Sequence, residues 1–201
     1  MAQVKKAEVE QAILEAAYRL FAQQGYAGTR MPQIAKAAGI SPSTIYVYFS
    51  SKFQILSSLY VPWFEQRLEA LETSLKRCRT APQKLRRIVT AMWSELPAAD
   101  NGFCSNLIQA LSERPEDEYR PHLRIYIEER LSVMLTGSLP ELTAPQSRYI
   151  ANFILMAFDG YALNFTLQNG KTASAAEIKF LCDMILAYAR GAGAAAKTAT
   201  R

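Results

Sequence analysis

Residues 29–52 read TRMPQIAKAAGISPSTIYVYFSSK, and their spacing predicts two short helices joined by a tight turn, with a third starting at the end. Ile34, Ala35 and Ala38 lie on the inward face of the first helix, and Ala35 is small enough for a second helix to cross closely. Gly39 supplies the positive φ that such a turn requires. Ile40 fills the angle, Ser41 is placed to cap the second helix, and Pro42 suits its first position, where a missing N–H costs nothing. Ile45 and Phe49, four residues apart, point inward. Ser43, Thr44, Tyr46, Val47 and Tyr48 are left on the outer face. A short second helix with hydroxyls and rings at its N-terminal end is the reading element of a helix-turn-helix. The competing reading is an ordinary helical hairpin, but a core hairpin has little reason to expose two tyrosines beside Lys52.

Over residues 9–56 the chain resembles the DNA-binding domain of the TetR family of bacterial transcriptional repressors. The resemblance rests on Ile13, Ala16, Ala17, Leu20, Phe21, Gly25, Tyr26, Thr29, Ile34, Ala35, Ala38, Gly39, Ile40, Ser41, Thr44, Tyr46, Phe49, Lys52 and Leu56. Four positions depart from the family pattern: Pro32, Ser43, Val47 and Phe53. The resemblance implies an effector site in the C-terminal part and a homodimer formed through the last two long helices.

The chain has 201 residues, half of them apolar, enough for one or two domains with a real core. No apolar run approaches the roughly 18–20 residues needed to span a bilayer, and the N-terminus lacks a signal-peptide core. A cytoplasmic protein with no membrane partner is expected. Cys78, Cys104 and Cys182 are widely spaced, without metal-ligand spacing, and fit reduced thiols. The net charge of +5 is uneven: residues 1–52 hold six Lys/Arg against three acids, and residues 53–190 hold fifteen of each. The modest positive excess sits at the expected DNA end and in the tail, which agrees with phosphate binding and also with a solvated face.

Taken in order, the pattern predicts an all-α chain of nine helices. Residues 8–24 form an amphipathic helix ended by Gly25. Ser51 and Gln54 make a capping box that opens a long helix to about Cys78, kinked at Pro62. Thr80 and Gln83 cap the next helix, which Pro97 stops. Asp100-Asn101-Gly102 is a turn, 103–113 a short helix, Pro115 a boundary and 116–136 another helix. Thr143 and Gln146 cap a helix over 145–169, and Ser174 and Glu177 cap the last, to about Arg190. The expected division is a DNA-binding domain over 1–52, an effector-binding and dimerisation domain over 53–190, and a mobile, low-complexity tail over 191–201.

The residues expected at DNA are Thr29, Arg30, Ser41, Pro42, Ser43, Thr44, Tyr46, Val47, Tyr48 and Lys52. The reading helix has no Arg, Asn or Gln, so bidentate contacts to purines are unavailable from it. Readout falls to Ser43, Thr44 and Tyr46, to Pro42 and Val47 against thymine methyls, and to DNA shape. Tyr48 and Lys52 are the candidates for phosphate contacts, Arg30 for a phosphate or groove contact, and Thr29 either contacts phosphate or caps its helix. Candidates for the effector pocket are Trp63, Met92, Trp93, Phe103, Tyr126, Asn152, Met156, Tyr161 and Phe165, with Gln109 among the polar groups that would orient a ligand. Candidates for the dimer interface are Phe153, Ala157, Gly160, Ile178, Leu181 and Ile185. The expected function is a ligand-responsive repressor that binds a palindromic operator as a homodimer and is released by a small hydrophobic or aromatic effector. Ligand-activated or effector-independent regulation are the alternatives. No P-loop, dinucleotide-binding glycine pattern, metal cluster or nucleophile set points to an enzyme or a cofactor; catalysis in a C-terminal cavity is the remote reading.

Overall fold

The computed structural model describes residues 2–99, 102–112, 122–167 and 170–199. The expected turn at 100–101, the Pro115 boundary and the start of the 116–136 helix lie outside them. The described residues form helices and no strand: α1 (Ala2–Gly28), α2 (Met31–Ala37), α3 (Pro42–Tyr48), α4 (Lys52–Leu75), α5 (Ala81–Thr90), a π-helical turn (Ala91–Glu95), α6 (Leu96–Ala99), α7 (Phe103–Ser112), α8 (His122–Ser138), α9 (Ala144–Leu167) and α10 (Ala175–Ala199). α5, the π turn and α6 run on in helical dihedrals, so the described residues make nine helical runs. None is long and apolar enough to cross a membrane.

By packing, the chain forms two compact units. The first holds residues Met1–Glu65 with Asn101–Tyr119, and the second holds Gln66–Asp100 with Arg120–Arg201. In the first, α1 packs against α2 and α7, and α2 against α3. Its core is built from the periodic apolar positions of these helices: Ile13, Ala16, Ala17, Ile34, Ala35, Ile45, Phe49 and Ile55 are buried. Tyr18, Tyr60, Trp63 and Phe64 gather around Phe103 and one another, with ring centroids 5.2–5.9 Å apart. Such clusters bury large areas in offset or edge geometry.

In the second unit α8 lies along α9, and α5 packs on α8 and α10. Leu85, Ile88, Met92, Leu131, Leu135, Ile154, Phe158, Leu181 and Ile185 are buried there. Arg130 grips Glu72 with both ends of its guanidinium, at 2.7 and 2.6 Å, and donates to the Tyr126 hydroxyl at 2.7 Å.

Three helix ends differ from expectation, the first being that of α1, which starts at Ala2 instead of residue 8. Pro97 does not stop its helix. Its missing N–H leaves the Trp93 carbonyl, four residues back, without a helical donor, and the N–H of Ala173 donates to that carbonyl instead, at 3.1 Å. The π turn over 91–95 accommodates the change. At the C-terminus α10 passes Arg190 and reaches Ala199, because the alanines after Gly191 are the strongest helix formers.

Candidate nucleic-acid interface

The turn between α2 and α3 forms as its residues require. Gly39 has φ 71°, and the N–H of Ile40 donates back to the Ala35 carbonyl at 3.0 Å. Ser41 caps α3: its Oγ accepts from the Thr44 N–H at 3.1 Å and lies 2.9 Å from Ser43 Oγ and 2.7 Å from Thr44 Oγ1. Three hydroxyls are thereby interlocked at the N-terminal end of α3. Ile45 and Phe49 are buried and fix which face turns outward. On that face Tyr46 is 56% exposed and Val47 75%. Pro42 and Ser43 are exposed, and Thr44 and Tyr48 half-buried.

Two residues expected at phosphates have structural work instead. Thr29 is fully buried; its hydroxyl donates to the Gly25 carbonyl at 2.7 Å and accepts from Gln24 Nε2 at 3.3 Å. It is neither free for phosphate nor the cap of α2, whose first residue outside the helix is Arg30. The Arg30 N–H donates to Gln33 Oε1 at 2.8 Å, and its side chain stays exposed. Lys52 Nζ donates to the carbonyls of Tyr26 (2.7 Å) and Thr29 (2.9 Å) and sits 3.8 Å above the Tyr26 ring, so two of its three N–H groups hold the fold. The capping box at α4 is shifted by one residue: Gln54 Oε1 accepts from Ser50 N–H at 2.7 Å, while Ser51 Oγ accepts from Gln54 N–H at 3.2 Å.

A pair of residues outside the expected set completes this unit. Gly25 breaks α1 with φ 73° and ψ 172°, which frees backbone groups on both sides. Asn106 Oδ1 accepts from the Tyr26 N–H at 2.7 Å, and Gln109 Oε1 from the Ala27 N–H at 3.0 Å. The sequence carries no signal for this beyond two amides three apart on a helix. Gln109 is therefore not a ligand-orienting group but a prop of the first unit.

The expected effector residues divide. Trp63 and Phe103 belong to the aromatic cluster of the first unit. In the second, Met92 is buried, and Trp93 is buried with its indole N–H donated to the Ile154 carbonyl at 3.0 Å and its ring 5.2 Å from Tyr161. Asn152 Oδ1 accepts from Arg124, which also pairs with Asp159 at 3.0 Å. Burial holds the Asp159 carboxyl above its ordinary range, against the lowering effect of Arg124. Tyr126 is taken up by Arg130, Phe165 packs over Gly170, and Met156 faces outward. An open groove of about 590 Å³ on the first unit, lined among others by Gln11, Leu14, Tyr18, Leu59 and Pro62, holds none of the nine.

The expected dimer residues divide as well. On α9 Phe153 and Gly160 are exposed and Ala157 half-buried, but on α10 Ile178, Leu181 and Ile185 are buried within the chain. The face α10 leaves open is Phe180, Met184 and Tyr188. Both stripes repeat every three to four residues, so periodicity alone does not say which is inward.

Residues 13–59 match the family described as "Bacterial regulatory proteins, tetR family". The chain is 36% identical over 89 residues to the fatty acid metabolism regulator protein of Bacillus subtilis, a match covering 44% of this chain and 46% of that protein. It thus spans less than half of that relative. It is 23% identical over 182 residues to the HTH-type transcriptional regulator BetI of Rhizobium meliloti, covering 90% of each. The fold superposes on the transcriptional regulator FadR of Bacillus subtilis in complex with stearoyl-CoA with a TM-score of 0.58 and 26% identity, covering 89% of this chain and 96% of that one.

Proposed function

We propose, for a chain that belongs to the TetR family of bacterial regulatory proteins, the role of a ligand-responsive, DNA-binding transcription regulator that acts as a homodimer in the cytoplasm. The observation that carries this reading is the outer face of α3. Its rings and hydroxyls have no task in the core, and the helix is braced from behind by Ile45 and Phe49. Residues 1–52 bind DNA; residues 53–190 bind the effector and form the dimer. α3 enters the major groove, where Ser43, Thr44 and Tyr46 meet base edges, Pro42 and Val47 meet thymine methyls, and Arg30 and Tyr48 reach phosphates. A two-fold dimer doubles these few contacts on a palindromic site.

The effector is hydrophobic and acts by population shift. It favours an arrangement of the dimer whose two reading helices no longer fit successive grooves, and so releases the operator. The stearoyl-CoA complex of the B. subtilis relative makes a long-chain acyl thioester the first probe.

The test begins with selection from random duplex DNA. Fluorescence anisotropy on the selected site, at two salt concentrations, follows with scrambled DNA as control. Salt-sensitive binding with a clear specificity ratio is expected. Binding no tighter than to scrambled DNA overturns the reading. Stearoyl-CoA, if it is the effector, must weaken operator binding by the factor by which operator weakens it.

A further inference from the structure

We infer that Asn106 and Gln109 are positioning residues for DNA recognition, supplied by a helix outside the helix-turn-helix; this rests on the function proposed above. The starting point is the break in α1. In an unbroken helix the N–H groups of Tyr26 and Ala27 would bond to carbonyls four residues back. The Gly25 dihedrals take those carbonyls out of line. Tyr26 is buried and Ala27 exposed, so at Tyr26 water does not take the place of the lost carbonyl. The Asn106 and Gln109 side-chain oxygens accept the two N–H groups instead, at 2.7 and 3.0 Å, and Asn106 Nδ2 lies 3.5 Å from the Phe21 carbonyl on the other side of the break. One amide therefore bridges both halves of the broken helix. Asn106 is itself buried. The clasp closes tightly: a Cβ added at Gly25 would meet Gln109 Oε1 at 3.2 Å.

The turn fixed in this way leads straight to the reading motif. Thr29 N–H donates to the Tyr26 carbonyl at 3.1 Å, and α2 starts two residues later. Lys52 binds the same Tyr26 and Thr29 carbonyls from the start of α4. Residues 25–29 are thus held from two sides, and α2 and α3 follow from them. Both holders belong to chain that continues into the second unit: α4 runs on past Glu65, and α7 lies in a segment flanked by second-unit sequence. The 13–59 family match contains Lys52 but neither amide.

The test compares full-length wild type with N106L, N106D and Q109A. N106L keeps the branched heavy-atom shape, though it is bulkier, and loses both bonds; N106D keeps the acceptor for Tyr26. For N106L the selected operator should bind about tenfold more weakly, and for Q109A about threefold, with non-specific affinity unchanged. N106D, which keeps the Tyr26 acceptor but turns an oxygen toward the Phe21 carbonyl, should recover only part of the loss. Amide exchange at Tyr26 and Ala27 should quicken in N106L and Q109A while the α3 and α4 amides stay protected. A role in stability alone predicts equal loss of specific and non-specific binding, which overturns the inference, as does operator affinity unchanged in both N106L and Q109A. If N106L does not fold, Q109A and N106D carry the comparison. If wild type selects no sequence, the function reading falls and this inference with it; if it does and the variants bind as well as wild type, only this inference falls.

Discussion

The Lys52 ammonium lies 3.8 Å above the Tyr26 ring while donating to the Tyr26 carbonyl at 2.7 Å, so one side chain holds both the ring and the backbone of the turn before α2. A phosphate-binding lysine and a structural one answer differently to substitution. Losing a phosphate contact lowers the salt slope of DNA binding by about one and weakens all sequences alike. Losing a charged hydrogen bond inside the fold lowers stability by about 2 kcal/mol. For Lys52→Met we expect the second result: a lower melting temperature and an unchanged salt slope. A slope reduced by one at unchanged stability would return Lys52 to the phosphates.

The reading helix should separate stability from recognition. Ser41→Ala removes the cap of a seven-residue helix and two hydroxyl contacts, and should cost about 1 kcal/mol of stability. Tyr46→Ala and Val47→Ser change exposed side chains and should leave stability within about 0.5 kcal/mol. Both should nevertheless weaken the selected operator about tenfold at constant affinity for scrambled DNA. Thermal melts beside anisotropy titrations check this, and unchanged operator affinity in both would move readout away from α3.

The α2–α3 turn and α3 were legible because their signals are local. Ser41 before Pro42, Gly39 at the turn and the Ile45–Phe49 pair each act within one helical turn, and each sits as its chemistry requires. The Thr80–Gln83, Thr143–Gln146 and Ser174–Glu177 caps form for the same reason. What escaped the sequence depends on partners that periodicity does not identify, some far along the chain and some, as for Thr29 and Tyr126, four residues away. Pro97 reads as a stop until Ala173 supplies a donor to the carbonyl it orphans. Lys52 and Thr29 read as surface groups until the Gly25 break gives them carbonyls to bind. Asn152 and Tyr126 read as pocket groups until Arg124 and Arg130 occupy them. On α10 two apolar stripes share one period, and only packing decides that Ile178, Leu181 and Ile185 are the inner one.

Burial pushes the Cys182 thiol up to about 11, with nearby Arg86 pulling it down and Asp183 adding to the rise. The folded state therefore keeps this proton over a range where the unfolded chain has lost it. Between the ordinary thiol value near 9 and the folded value near 11, the native state binds more protons, so stability must fall as pH rises through that window and be unaffected by this group below it. Cys182→Ala should flatten that part of the curve. The same shift makes Cys182 a poor nucleophile. Iodoacetamide at pH 8 should label it at least tenfold more slowly than the unfolded chain does, as peptide mass spectrometry would measure. Fast labelling in the native protein would instead support a thiol that senses oxidants.

Gly160 sits in an exposed stripe of α9 with Phe153 and Met156, and a Cβ placed there would meet nothing within 4 Å in the single chain. Within one protomer, then, Gly160→Leu should be favourable by up to about 1 kcal/mol, through helix propensity alone. In a dimer whose α9 helices cross at this glycine, the same leucine fills the space the partner backbone needs. On α10 the corresponding residues are Phe180, Met184 and Tyr188, so Phe180→Glu should also split the dimer, whereas conservative changes at buried Ile178 or Leu181 should alter stability before association. Sedimentation velocity across a range of protein concentrations reads this directly: wild type is expected as a dimer, and G160L and F180E as monomers with helical circular dichroism retained. Operator affinity in both should fall toward that of a half-site, since one α3 contacts too few base pairs alone. A G160L protein that remains a dimer would place the interface elsewhere and leave the α9 stripe for another partner.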